Sequence, residues 1–231
     1  MSKRTEVKLR RQRQARLQTA FVAVLVVVVV AVVGYLIFQS QQSGGKVPAT
    51  STIDPGKSFG PTEAKVIVRE FADFQCPYCG KFAVSDGRQF IIDQANAGKL
   101  RFEYHHYIVV DIPGTSDESR HAAWASECAN EQGKFWDYST YLFTHQNGEH
   151  QGAFSDANLK TFAVTLGLDT ATFNPCFDAK RYATKVAQDD ALGQSLGVFQ
   201  TPSLFINNTL VKDPLDINEI KTLINAAVGA N

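Results

Sequence analysis

The feature that most constrains the fold of this 231-residue chain is a cysteine pair, Cys76-Pro77-Tyr78-Cys79. An apolar run ending at Phe71 precedes the pair, and a segment that favours helix follows it. At a helix start, free N–H groups and the helix dipole lower the pKa of the first thiol. The pattern predicts a redox-active dithiol at a strand-to-helix turn, with Cys76 as nucleophile and Cys79 as the cysteine that resolves mixed disulfides.

The alternative is that Cys76 and Cys79 form half of a metal site. Structural zinc usually takes four ligands, often as two such pairs or as Cys/His clusters. The other cysteines, Cys128 and Cys176, stand alone, and the five histidines show no metal-ligand spacing relative to Cys76. We therefore favour redox chemistry over a metal site or an inert disulfide, and we expect no metal and no cofactor.

The sequence around the cysteine pair predicts an α/β fold. Strand-like runs at 65–71 and 100–110 flank a helical segment at 77–97. Strand, helix and strand in this order imply a right-handed crossover and a parallel pair. A β-hairpin at 203–211 and a helix at 215–228 close the chain.

A long helical region, about 115–196, separates the second strand from the hairpin. It is too long for a simple connection, so we interpret it as a helical subdomain inserted into the connectivity of the sheet. Its candidate helices are 116–131, 134–146, 155–166 and 176–195.

The first 60 residues predict an anchor and a tether. Residues 1–19 hold seven Lys/Arg and one acid, and residues 20–38 are 19 residues without a charge, about enough helix to cross a bilayer. By the positive-inside rule the basic tail stays cytoplasmic and the following domain lies outside the cytoplasm. A cleaved signal peptide is the rival interpretation, although its apolar region is normally shorter, about 7–15 residues. Residues 39–60 read as a flexible linker, which places the folded domain at 61–231.

Charge and cysteine count narrow the function classes. The net charge is zero, and the basic excess is confined to the N-terminal tail, so nucleic-acid binding has little support. Outside the cytoplasm paired thiols tend to become disulfides. Cys128 and Cys176 are therefore expected to form a structural disulfide, whose closed loop would contribute roughly 4 kcal/mol by the chain-entropy estimate. Free buried thiols or a shuttling role are the alternatives.

Two motifs accompany the helical insertion: Glu70-Phe71-x-x-Phe74-x-Cys76-Pro77-Tyr78-Cys79 and Gly197-Val198-Phe199-Gln200-Thr201-Pro202-Ser203. With these motifs the chain resembles the DsbA family of thioredoxin-fold thiol:disulfide oxidoreductases, especially its membrane-anchored bacterial members. The resemblance covers roughly residues 50–231 and implies a thioredoxin-like fold with an inserted helical subdomain.

The resemblance also implies roles for residues other than the cysteines. Thr201-Pro202 would be a cis peptide bond beside the active-site disulfide, and would bind clients together with Pro77 and Tyr78. Glu70, six residues before the first cysteine, stands where such enzymes often hold a buried acid that relays a proton for the second cysteine. The alternative is a surface glutamate at the end of the strand.

We therefore predict a membrane-tethered, extracytoplasmic disulfide oxidase that acts on exported, cysteine-containing clients. By the resemblance, a membrane-embedded, quinone-linked protein of the DsbB type or one like vitamin K epoxide reductase reoxidises it. Tyr78 stands where strongly oxidising members carry histidine, and Gln200 where many relatives carry glycine. The direction of electron flow is therefore open: a reductase or electron carrier, for example in cytochrome maturation, is the alternative. A non-catalytic client-binding chaperone is less favoured.

Overall fold

A five-stranded sheet forms the centre of the fold in the computed structural model, which describes residues 55–230. The strand order is β1-β3-β2-β4-β5, with β2 and β3 parallel as the crossover predicts and the other neighbours antiparallel. A short 3-10 turn precedes the first strand. The turn and the strands are Pro55–Lys57, β1 (Ser58–Phe59), β2 (Ile67–Ala72), β3 (Arg101–His106), β4 (Ser203–Ile206) and β5 (Thr209–Leu210).

Eight α-helices accompany the sheet in this described part of the chain. Two follow β2, five form the insertion between β3 and β4, and one follows β5. The α/β architecture with inserted helices is therefore confirmed. The helices are α1 (Pro77–Ala83), α2 (Asp86–Asn96), α3 (Glu118–Asn130), α4 (Phe135–Thr144), α5 (Asp156–Thr165), α6 (Thr170–Asp178), α7 (Ala183–Ser195) and α8 (Ile217–Gly229).

Two helix boundaries differ from the prediction. The single helix expected at 77–97 is divided into α1 and α2, because Ser85 caps a new helix by accepting the N–H of Arg88. The helix expected at 176–195 is also wrong in its bounds: its first residues belong to α6, which begins at Thr170, and only Ala183–Ser195 form α7. Asp169 caps the start of α6, and Lys180 adopts a left-handed conformation, φ 50°, just after its end.

The predicted linker 39–60 is wrong for its last residues. Lys57 is fully buried, and Phe59 on β1 pairs with Phe102 of β3 and stacks on Trp136 at 4.5 Å between ring centroids. These tertiary contacts order a segment whose composition favours a flexible chain. The predicted basic tail 1–19, the predicted anchor 20–38 and the rest of the linker lie outside the described residues.

No helix within residues 55–230 combines the length and the apolar character needed to cross a bilayer.

The helical insertion shares one hydrophobic core with the cysteine pair. Cys79 and Phe74 belong to the same buried cluster as aromatic residues of α4, including Phe135 and Tyr138. The predicted disulfide between Cys128 of α3 and Cys176 of α6 is present. Both cysteines are buried in this cluster, so the bond joins the two helices within the core. The insertion therefore covers the inner side of the cysteine pair.

Candidate active site

The two cysteines of the pair lie at the start of α1, in the dithiol state. Cys76 is the N-cap residue and has an extended backbone, with φ −67° and ψ 119°. Pro77 occupies the first helical turn, where the N–H it lacks would have had no helical partner. Cys76 keeps 6% of its surface exposed and Cys79 none, so Cys76 is the thiol within reach of another protein.

The surroundings of the two thiols move their pKa values in opposite directions. A hydrogen bond from the Cys79 thiol, with N–H groups of Cys79 and Tyr78, outweighs burial and lowers the pKa of Cys76 to about 6. Burial, above all, raises the pKa of Cys79 well above its ordinary value, and the negative charges of Cys76 and Glu70 add to the effect. At neutral pH the pair therefore holds a thiolate at Cys76 and a thiol at Cys79.

We expect alkylation of the dithiol protein by iodoacetamide to report this difference, because only the thiolate is nucleophilic. The rate at Cys76 should rise with pH to a midpoint near 6, the pKa of its thiol, while Cys79 stays unmodified. Mass spectrometry of samples quenched between about pH 4 and pH 9 measures both rates. A midpoint near 8.5, the value of an ordinary cysteine, would contradict the assignment.

The same shift makes the stability of the dithiol protein depend on pH. The folded pKa of Cys76, about 6, lies below the ordinary cysteine value of about 8.5. The folded state therefore binds fewer protons between these values. The lowered pKa of Cys76 therefore increases the free energy of unfolding, and this increase is complete above about pH 8.5. The added stability is lost as the pH falls through 6.

The loop before β4 lies against the nucleophile. The Thr201-Pro202 peptide bond is cis, as the resemblance implies, and Cys76 Sγ lies 3.2 Å from the carbonyl oxygen of Thr201, to which it donates when it is protonated. Two aromatic side chains of these segments are exposed, Tyr78 by 58% and Phe199 by 77%. The structure thus brings together the cysteine pair and the distant Thr-Pro motif, beside apolar surface.

Glu70 is completely buried in the middle of the sheet, on β2 opposite Tyr104 of β3 and Leu204 of β4. Burial raises the pKa of its carboxyl group, and the Arg88 guanidinium, 3.4 Å from Oε2, opposes that rise. Its second oxygen, Oε1, has no hydrogen-bond partner within residues 55–230. Glu70 is therefore not the surface glutamate of the alternative interpretation, and its charge acts on the pKa of Cys79.

Arg88 is a site residue that the sequence analysis missed. Besides pairing with Glu70, its guanidinium lies over the rings of Phe102 and Trp136, at 5.6 and 5.3 Å from their centroids. The sequence could have identified it, because Arg88 lies three residues before Ile91 and therefore on the same, buried face of α2. A charged side chain on a buried face needs a partner.

Asp73 was also missed. It lies between β2 and α1, and its carboxylate accepts hydrogen bonds from the Gln75 N–H at 2.9 Å and the Ser119 hydroxyl at 2.6 Å. The N–H groups of Val109 and Val110 each donate to its other oxygen at 3.0 Å. An aspartate accepting from the residue two positions on forms a recognised turn, which the sequence could have shown. Asp73 thus ties the active-site turn to the segment after β3 and to α3.

A second buried polar cluster lies apart from these contacts. Lys57 Nζ is 2.7 Å from Glu127 Oε1 and 2.7 Å from Asp189 Oδ2, and His106 Nε2 is 3.2 Å from the same Glu127 oxygen. The ligating atoms of His106, Glu127 and Asp189 are close enough together to hold a metal ion. The Lys57 ammonium already supplies positive charge between the two carboxylates, so the cluster is an ion-pair network.

Comparison with known proteins decides the family. The family model described as thioredoxin matches residues 53–226. The chain belongs to the thioredoxin family. Within it the chain is of the DsbA type: oxidised BdbD from Bacillus subtilis superposes with a TM-score of 0.65 at 27% identity, over 75% of this chain and 92% of BdbD. The Disulfide bond formation protein D of Bacillus subtilis is 27% identical over 189 residues, 80% of this chain and 83% of that protein.

Other curated relatives are antiporters. The Na(+)/H(+) antiporter NhaA 3 of Salinispora tropica is 31% identical over 187 residues, which are 80% of this chain and 27% of the antiporter. The chain thus spans about a quarter of the length of these first relatives. The similarity concerns one part of those larger proteins.

Proposed function

We propose that the protein is an extracytoplasmic thiol:disulfide oxidoreductase that introduces disulfide bonds into exported proteins. The observation that carries the proposal is the position of Cys76 at the N-terminus of α1, where it is the more exposed member of the pair while Cys79 is fully buried. In that position the pKa of Cys76 is lowered to about 6, and burial raises the pKa of Cys79. A stabilised thiolate lowers the free energy of the dithiol state, which makes the disulfide a better electron acceptor. The likeness to BdbD and to the Disulfide bond formation protein D supports the same reaction class.

The proposed reaction starts from the Cys76–Cys79 disulfide. A client thiolate attacks Sγ of Cys76, forming a mixed disulfide and releasing Cys79 as a thiolate that takes up a proton. A second client thiolate attacks the client sulfur of the mixed disulfide and releases Cys76 as a thiolate. Two client thiols thus become one disulfide, and the two electrons remain in the Cys76–Cys79 dithiol. The two protons of the client thiols are released or taken up by the protein. The low pKa of Cys76 makes it a good leaving group in the second step.

Glu70 is the proposed proton partner of Cys79. A buried thiol leaves as a thiolate at high free-energy cost, so a nearby acid that protonates it favours the first step. Glu70 is buried, its pKa is raised by that burial, and its charge acts on Cys79. It is therefore suited to give up a proton when the disulfide opens and to take it back during reoxidation.

Client binding is assigned to the surface around Cys76. Pro77 and Tyr78 on α1, with Thr201 and Pro202 in the cis-proline loop, border the nucleophile, whose thiol contacts the Thr201 carbonyl. The exposed rings of Tyr78 and Phe199 provide apolar surface for an unfolded client chain.

The N-terminal segments complete the proposal. Residues 1–19 form a cytoplasmic tail, 20–38 a single membrane anchor and 39–54 a tether, with the folded domain, which begins at Pro55, outside the cytoplasm. The charge pattern of the sequence supports this arrangement. We propose reoxidation by a membrane-embedded, quinone-linked protein of the DsbB type or one like vitamin K epoxide reductase. The protein itself needs no cofactor for thiol exchange.

Two measurements test the proposal. The reduction potential of the pair, from equilibration with glutathione, should lie near −120 to −180 mV, whereas a value near −270 mV would indicate a reductase or electron carrier. In the natural host, Cys79→Ala should trap clients on Cys76, because no second thiol releases them. Exported cysteine-rich proteins are the expected catch. Trapping of a haem-maturation component alone would reject the oxidase, and Cys76→Ser combined with Cys79→Ala is the matched control that traps nothing.

A further inference from the structure

The side chain of Gln146, two residues beyond the end of α4, reaches the turn that carries the nucleophile. Its Nε2 donates to the carbonyl oxygen of Phe74 at 2.6 Å and to that of Cys76 at 3.0 Å. These two carbonyls stand on either side of the Gln75–Cys76 peptide bond. One amide group of the helical insertion therefore fixes the backbone both before and at the nucleophile.

A further contact joins the same two segments. The N–H of His150, four residues after Gln146, donates to Oε1 of Gln75 at 2.8 Å. The Nε2 of Gln75 donates in turn to the hydroxyl of Ser119 on α3 at 2.8 Å. The insertion thus holds the active-site turn from the loop after α4 as well as from α3.

Gly80 makes room for the Gln146 amide. A Cβ atom at position 80 would lie 2.5 Å from Oε1 of Gln146, closer than packed atoms allow. Gly80 lies in α1, where glycine costs about 1 kcal/mol relative to alanine. The sequence therefore carries an unfavourable helix residue at a position where a Cβ atom would displace the Gln146 amide.

The thiolate of Cys76 depends on the direction in which this backbone points. Cys76 is the N-cap residue of α1, and the N–H groups of Tyr78 and Cys79 in the first turn lower the pKa of its thiol. Hydrogen bonds weaken steeply with misalignment, so a shift of the Cys76 backbone would weaken them. The Gln146 donor also offsets the partial negative charge of the Cys76 carbonyl, which lies close to the sulfur.

We propose that Gln146 is a positioning residue through which the helical insertion holds Cys76 in its reactive orientation. The inference rests on the proposed dithiol chemistry at Cys76 and deepens it, since it assigns to the insertion a part in tuning the nucleophile. Gln146 acts through the Cys76 and Phe74 backbone and does not touch the reacting sulfur atoms.

Replacement of Gln146 tests the proposal. Gln146→Ala removes both donors, and Gln146→Glu keeps the shape but, when ionised, cannot donate and adds negative charge. We expect the pKa of Cys76, measured by thiolate absorbance, to rise by about 0.5 to 1 unit in the first variant and further in the second. The equilibrium constant for oxidation of glutathione at pH 7 should fall about three- to fivefold in the first variant. Gln151→Ala is the control, because Gln151 is exposed in the same loop and its side chain donates to the backbone carbonyl oxygen of Glu149.

Gly80→Ala provides a second test that does not endanger folding, since alanine favours helix. It should raise the pKa of Cys76 in the same direction, because the new methyl group displaces the Gln146 amide. The effects of Gly80→Ala and Gln146→Ala should not add in the double variant, as expected for residues that act through one contact.

Two results would overturn the inference. The first is that both Gln146 variants keep the wild-type pKa of Cys76 and the wild-type glutathione equilibrium. If only their thermal stability fell, Gln146 would have a purely structural role. The second is full additivity of the Gly80 and Gln146 effects. A wild-type Cys76 pKa near 8.5 would instead reject the proposed function itself, so the two failures are distinguishable.

Discussion

Cys76→Ser is expected to reduce oxidation of a dithiol client to the uncatalysed rate while the protein remains folded. A serine hydroxyl forms no disulfide, and Cys79 cannot replace the missing thiol because it is fully buried and its pKa is well above the ordinary value. The measurement is the appearance of the disulfide in a reduced two-cysteine peptide. Circular dichroism of the same sample shows whether the fold is kept.

Cys79→Ala is the matched comparison, because it removes the other sulfur of the pair. This variant should still form mixed disulfides through Cys76 but should fail to turn over. If Cys76→Ser retained the protein's effect on its clients, exchange chemistry would be rejected in favour of the non-catalytic chaperone. The two variants therefore separate nucleophile, resolving thiol and client binding.

Lys57→Met is expected to destabilise the fold by about 3–5 kcal/mol. The substitution removes the ammonium group that pairs with the carboxylates of Glu127 and Asp189 in the buried network. Burial disfavours the charge of Lys57, yet Asp189 and Glu127 outweigh it and raise the pKa of the ammonium group. The carboxyl pKa values of Glu127 and Asp189 are in turn held well below their usual range against burial, by contacts that include His106, His105 and Lys57. Denaturant unfolding of the disulfide form measures the loss.

The control for Lys57→Met is Lys134→Met, the same substitution in an exposed pair. Lys134 and Asp137 are about half exposed and 2.8 Å apart, so this pair should contribute less than about 1 kcal/mol. The deficit of Lys57→Met should be largest at neutral pH and shrink below about pH 4, because Glu127 and Asp189 take up protons in the variant. In the wild type the Lys57 ammonium helps to keep both carboxyl groups ionised at that pH. A loss below about 1 kcal/mol at pH 7 would show that the buried network does not depend on Lys57.

Much of the fold followed from local sequence patterns. The β-branched run before Cys76, the crossover to the strand after it, the length of the inserted region and the final hairpin were all predicted and confirmed. The linker boundary failed at Lys57 and Phe59, because their order comes from partners far away in the chain. Lys57, for example, bonds Asp189, 132 residues later.

The candidate site divides in the same way. The sequence by itself determined the cysteine pair at a helix start, the acid six residues before it and the Thr-Pro motif, because spacing and family resemblance identify such residues. Only the tertiary structure decided how they are tuned: Arg88 beside Glu70, Asp73 holding the turn, and Gln146 on the carbonyls of Phe74 and Cys76. The Gln146–Phe74 bond joins residues 72 positions apart. Such contacts depend on how the insertion packs against the sheet, and neither helix propensity nor periodicity carries that information.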